Sequence, residues 1–224
     1  VLCISDTHFG HVKVFEKFEP IRKTYTLSKG KQTLKDFEDL MVENWNETVF
    51  DSDTLIHLGD VCIDKMNPTK TEENLAISLK LEGESLILIK GNHDKSDNSL
   101  YYQNGWNFVI DCPVILLDNP KIIDNAPGLA HCIIIDINGK RVMFSHFGIH
   151  QYNENFEGKY REPFRYLTKL YNDYKCDYNI HGHSHSNAIN SEKSFNCSVE
   201  VINFTPKKLT DIFAVLTKFK NKLL

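Results

Sequence analysis

The sequence has no apolar run approaching the roughly 18 residues that a membrane span needs, so no membrane partner is expected. No charged-then-apolar leader precedes the first strand-like run. None of the six cysteines stands in a C-x-x-C pair or at zinc-knuckle spacing. Several lie inside apolar runs, where Cys behaves as a small hydrophobe. Together these absences point to a reducing, cytoplasmic setting. Cationic excess is missing as well: 26 Lys and Arg stand against 30 Asp and Glu, a net charge of −4, which excludes a globally basic nucleic-acid binder. There is no internal repeat, low-complexity tract or linker, so residues 1–224 are read as a single domain. What is present is apolar material, 41% of the chain, enough for a substantial core.

That material falls into short runs that end in chemistry. Residues 1–5 read as a buried strand followed at once by Asp6-Thr7-His8. Residues 54–58 close on Gly59-Asp60, and residues 85–90 close on Gly91-Asn92-His93-Asp94. Residues 141–145 close on His146, and residues 177–180 run into His181-Gly182-His183-Ser184-His185. Length, β-branched content and glycines favour strands over buried helix. In layered α/β sheets the ligand site lies beyond the carboxyl ends of the strands, so residues scattered from 6 to 185 are expected to converge.

The connections agree with an α/β fold. Apolar residues recur at helical spacing over 34–50, 71–81, 161–175 and 209–219. Asn138-Gly139, between two apolar runs, predicts a hairpin with a type I′ turn. Residues 114–117 are expected to pair nearby, and residues 195–202 alternate like a strand. Trp45 and Asn46 read as helix packing and a helix end.

Asp6 and His8 are two apart, as are His183 and His185. On an extended chain such pairs point to one side. With Asp60, Asn92 and His146 they offer four imidazoles, two carboxylates and one amide oxygen. That is too many donors for one tetrahedral site and suits two borderline divalent ions sharing a carboxylate. The donor set does not choose among Mn, Fe, Zn and Ni.

The ordered set D-x-H, G-D, G-N-H-D, H and G-H-x-H resembles the calcineurin-like metallophosphoesterase superfamily, and the opening Ser5-Asp6-Thr7-His8-Phe9-Gly10-His11, the Trp45-Asn46 pair and His57-Leu58-Gly59-Asp60-Val61 resemble its small single-domain bacterial and phage members. The resemblance implies a four-layer α/β/β/α sandwich. It implies one ion on Asp6, His8, Asp60 and His185, and a second on Asp60, Asn92, His146 and His183, with Asp60 bridging. It implies His93 as general acid, oriented by Asp94. Two such ions activate a shared water for in-line attack on phosphorus and neutralise developing charge. Protein phosphatases of the superfamily show G-D-x-V-D-R-G and R-G-N-H-E, whose arginines are replaced here by Asp64 and Lys90. The expected substrate is therefore a phosphodiester or nucleotide. A phosphomonoesterase or protein phosphatase, a nuclease and a non-catalytic metal-binding scaffold stand as alternatives.

His11 and His150 are candidate substrate contacts. His57, His131 and His181 sit within strand patterns and read as structural. Residues 11–35 carry Lys13, Lys17, Arg22, Lys23, Lys29, Lys31 and Lys35 against Glu16 and Glu19. This basic stretch reads as a solvated loop that could contact an anionic substrate or a nucleic acid.

Overall fold

The structure is a computed structural model that describes residues 1–62, 68–149, 158–187 and 190–221. The sequence runs condense into two sheets. The first holds β1 (Leu2–Ile4), β2 (Thr54–His57), β3 (Ser85–Ile89), β4 (Phe108–Ile110) and β11 (Lys207–Lys208) in the order β11-β1-β2-β3-β4. All its pairs are parallel except β11 with β1. The second holds β5 (Pro113–Leu116), β6 (Lys121–Ile122), β7 (Cys132–Ile137), β8 (Lys140–Ser145), β9 (Tyr178–His181) and β10 (Ser194–Asn196) in the order β10-β9-β8-β7-β5-β6. The β7–β8 hairpin turns at Asn138 and Gly139, with φ of 52° and 71°, as a type I′ turn requires.

Alternation along β7 and β8 shows the layering. Ile133, Val142 and Phe144 join one core with Leu2, Ile4 and Leu55 of the first sheet, while Cys132, Ile134 and Met143 turn the other way onto Phe164, Leu167 and Leu170. Those three residues belong to α4 (Arg161–Asp173), which covers the outer face of the second sheet. The helices α2 (Leu34–Asn46) and α5 (Leu209–Asn221) supply Phe37, Met41, Trp45, Ile212 and Leu216 to the first core. Helices therefore flank two packed sheets, giving the expected α/β/β/α sandwich. Among the described residues no helix is long and apolar enough to cross a membrane.

Four local expectations differ from the structure. The helix read over 34–50 ends at Asn46, where the Asn46 amide donates to the Lys80 carbonyl at 2.8 Å and the buried Trp45 indole donates to the Glu82 carbonyl at 2.9 Å. That docking also shapes the partner segment, which is α3 (Pro68–Leu75) followed by a 3₁₀ turn over Ala76–Lys80 rather than one helix over 71–81. The strand read over 195–202 stops at Asn196, because the Asn196 side chain accepts from the Ser198 amide at 2.9 Å and the Ser198 hydroxyl at 2.7 Å, offering the backbone a turn in place of a ladder.

The fourth difference is the basic stretch. It is not a loop: a π-helical turn over Val14–Phe18 leads into α1 (Pro20–Ser28), with Pro20 in its first turn. The inward face of α1 is Arg22 and Thr26 rather than aliphatic residues, so its helical period carries no apolar signal. Arg22 is buried, at 1% exposure, and is unavailable to an external anion.

Candidate metal centre

Five strand ends deliver the donors: β1 leads to Asp6 and His8, β2 to Asp60, β3 to Asn92, β8 to His146, and β9 to His183 and His185. Convergence does not come from extended backbone, as the i, i+2 spacing suggested. Asp6, His8, Asp60, His183 and His185 all have left-handed backbone, with φ of 58°, 50°, 59°, 69° and 47°. Each such residue costs about 1–2 kcal/mol relative to right-handed backbone, and such strain gathers where the surrounding structure holds a functional geometry. Two glycines let the turns close. A Cβ on Gly91 would lie 2.2 Å from Asp60 Oδ1, and one on Gly182 would lie 1.9 Å from Ser5 Oγ.

The donor atoms face one another. His8 Nε2 and His185 Nε2 are 3.2 Å apart, with Asp6 Oδ1 at 3.9 Å and 3.7 Å from them. His146 Nε2 lies 3.1 Å from Asn92 Oδ1 and 3.2 Å from His183 Nδ1. Asp60 Oδ2 stands between these groups, 3.7 Å from His8 Nε2 and 3.5 Å from His146 Nε2. Two nitrogens bound to one ion at about 2.0–2.1 Å in tetrahedral geometry lie about 3.3 Å apart, so the spacings suit shared cations. Asp6 gives the sharpest fit. Its Oδ2 accepts from the His183 amide and the Ser198 hydroxyl, both at 2.9 Å. Its buried Oδ1 has no hydrogen-bond partner among the described residues and is turned toward the two imidazoles.

The electrostatics also call for positive charge. Burial, then Asp94 and Asp6, push the Asp60 carboxyl well above its usual range. Burial opposes ionisation of Asp6, yet the facing histidines, His185 first, outweigh it and hold that carboxyl low. Burial lowers His8 and His146 and takes His183 down to about 3, so these rings keep the neutral form that ligates metal. His185 differs: burial acts against its charge, but Asp6 and Glu200 hold it up at about 9.

The other expected residues fall around this cluster. The His93 side chain is 32% exposed, and its Nε2 lies 4.0 Å from Asp60 Oδ2, on the open side of the donors. The Asp94 carboxylate accepts from the backbone amides of Gly91 and Asp60, each at 2.7 Å, from Val61 at 3.1 Å and from the Tyr101 hydroxyl at 3.1 Å. It therefore clamps the β2 and β3 end loops together. The His11 ring lies 5.4 Å from that of His8 and 6.4 Å from that of His93. His150 lies outside the described residues. His57 is buried behind the site, bonded to Thr7 Oγ1 at 3.1 Å, as a structural histidine should be.

Sequence reasoning missed Glu19 and Glu200, both buried beside His185. Glu200 sits in a segment read only as strand, with no metal-ligand spacing to mark it. The expectation for Arg22 named its charge and missed its place inside the fold.

Known proteins resemble this chain along most of its length. An uncharacterised protein of Methanocaldococcus jannaschii is 26% identical over 227 residues, covering 98% of this chain and 93% of its own. The crystal structure of a protein of unknown function from Aquifex aeolicus matches with a TM-score of 0.64 at 26% identity, covering 96% of this chain and 97% of that one. A structure described as a novel archaeal phosphodiesterase aligns at a TM-score of 0.39 and 13% identity, over 87% of this chain and 81% of its own. The model of calcineurin-like phosphoesterases matches residues 1–187, the stretch that contains all five donor-bearing strand ends, and the chain belongs to that family of metal-dependent phosphoesterases.

Proposed function

We propose that this phosphoesterase hydrolyses phosphodiesters or nucleotides with two divalent ions, one on Asp6, His8, Asp60 and His185 and the other on Asp60, Asn92, His146 and His183. The observation that carries this reading is the meeting of seven donor side chains from five strand ends, with Asp60 Oδ2 within 3.7 Å of a histidine from each group. Bound there, the ions would activate water, grip phosphoryl oxygens and offset the negative charge that grows at phosphorus.

The chain's own groups do the remaining work. His146 is bonded through Nδ1 to the Leu58 carbonyl at 2.8 Å, which favours a proton on Nδ1 and leaves the Nε2 lone pair for ligation. His93, on the open side, gives its proton to the departing oxygen of the ester, a step typically worth about 10²–10⁴-fold. The His93 amide donates to Asp60 Oδ1 at 2.8 Å, so the acid is tied to a ligand it works beside. Asp94 is a positioning residue that fixes the loops carrying Asp60 and His93. His11, on the same side as His93, is a substrate contact.

The test is hydrolysis of an aryl phosphodiester by metal-reconstituted protein, run beside a monoester, a cyclic nucleotide and an oligonucleotide. Diester turnover above monoester turnover supports the reading. Monoester turnover alone, or no turnover with any of Mn, Fe, Zn and Ni, overturns it. Salt-sensitive preference for the oligonucleotide moves the reading to a nuclease, with exposed Lys13, Lys17, Lys23 and Lys29 as the groups to neutralise.

A further inference from the structure

One buried network links the two chain-distant pieces of the Asp6–His8–His185 group. His185 shows its Nε2 to His8 and Asp6, and its Nδ1 lies 3.1 Å from Glu200 Oε1. The same Glu200 oxygen accepts from Arg22 Nε at 2.7 Å and lies 2.5 Å from Arg22 Nη2. Arg22 spends its remaining reach on the β1 end loop, donating through Nη1 to the Thr7 carbonyl at 2.8 Å and through Nη2 to the Asp6 carbonyl at 2.6 Å. Glu19 flanks the ring at 3.9 Å from Nδ1 and accepts from the Ser186 hydroxyl at 2.7 Å. Glu200 lies outside residues 1–187, the part matched to the family.

We infer that Glu200 and Arg22 are positioning residues for the metal centre: Glu200 fixes the His185 ring with Nε2 toward the ion, and Arg22 locks that carboxylate to the left-handed Asp6–His8 turn. The inference rests on the metal reading proposed above. A buried ion pair is a poor stability device, since well-packed apolar residues often serve as well. A carboxylate on the far nitrogen of a metal-binding histidine has another use. It holds the proton on Nδ1, sets the ring plane and raises the basicity of the ligating nitrogen. Here a single guanidinium adds the second ligand-bearing segment to the same brace. Residues 6 and 185 are thereby held to one distance by side chains that would touch neither ion nor substrate.

The test is Co(II) titration of the metal-free full chain with chelator competition, for wild type and Glu200→Gln, with circular dichroism as the fold control. The amide of Gln keeps an acceptor oxygen and nearly the same volume. Wild type is expected to take two equivalents. Folded Glu200→Gln is expected to keep one at wild-type affinity and bind the other about 10–100-fold more weakly. Arg22→Lys, which keeps the charge and loses the planar fork, is expected to weaken the same equivalent and serves if Glu200→Gln does not fold. A folded variant that binds both ions like wild type overturns the inference. Wild type that binds no Co(II) instead overturns the metal reading beneath it. Nitrogen-resolved NMR of Zn(II)-loaded wild type needs no variant: a protonated His185 Nδ1 is expected, and an unprotonated one overturns the inference.

Discussion

The two halves of the centre are braced by different physics. The Asp6–His8–His185 half leans on charge: His185 rests on Glu200, which rests on Arg22. The Asn92–His146–His183 half leans on a carbonyl and on rings. His146 is anchored to the Leu58 carbonyl, and His183 is packed against Phe147, Tyr160 and Phe164 with ring centroids 4.5, 5.5 and 6.1 Å away. A charged brace acts through one or two strong, directional contacts. A packed brace spreads its hold over many weak contacts and is tied to the core itself. Changing the first should alter a proposed ligand and spare the fold, while changing the second should disturb both.

The largest expected effect ignores the division. Asp60 faces both halves, so Asp60→Ala is expected to lower kcat/KM by about 10³-fold or more, on the order of 4 kcal/mol of transition-state stabilisation. Steady-state assays on reconstituted protein check this, and loss of only one metal equivalent would show that Asp60 serves one half. His93 lies in neither brace. His93→Ala is expected to cut turnover about 10²–10⁴-fold on a substrate with a poor leaving group, and far less on an aryl ester that departs without a proton. Equal losses on both substrates would make His93 a loop brace.

Next comes the packed half. Phe147 is fully buried, and Phe147→Ala is expected to destabilise the fold by about 3–5 kcal/mol, measured by urea unfolding of metal-free protein. Glu200→Gln should fall well short of that. If the two were equal, the contrast between braces would be lost.

The smallest effects are those of pH on the metal-free protein, and here the halves should differ in sign. His183 is held down at about 3, chiefly by burial and then by His146, and His57 is held down at about 4, chiefly by burial. Below pH 6.5 the unfolded chain takes up protons that these folded rings refuse, so their contribution to stability is lost as pH falls from 6.5 toward 3. His185 is held up at about 9 by Asp6 and Glu200 against burial, so its contribution is full below pH 6.5 and is lost as pH rises through about 9. Stability should therefore fall at both ends of this range. His185→Gln should flatten the alkaline limb alone, which a melt series in chelator would register.

Much of the candidate site was legible because its donors are polar groups set at the ends of apolar runs. Asp6, Asp60, Asn92 and His146 each follow a run short enough and β-branched enough to be a strand, and sheet geometry gathers strand ends. The backbone mechanism was not legible. The i, i+2 spacing of Asp6 and His8 suits an extended chain, while the fold uses left-handed residues that sequence patterns do not announce for Asp and His. The Asn138-Gly139 hairpin was legible because its left-handed turn has a known residue preference. The strand over 195–202 was misread because alternation does not distinguish a ladder from a turn capped by Asn196 and Ser198.

By itself, the sequence determined the layered α/β class, the strand ends and the candidate donor residues, because apolar periodicity and polar punctuation are local properties. Tertiary structure alone decided that Arg22 and Glu200, 178 positions apart, meet behind His185. A buried charge is stable only beside a partner, and which partner is set by how the sheets and helices pack rather than by anything near it in the chain.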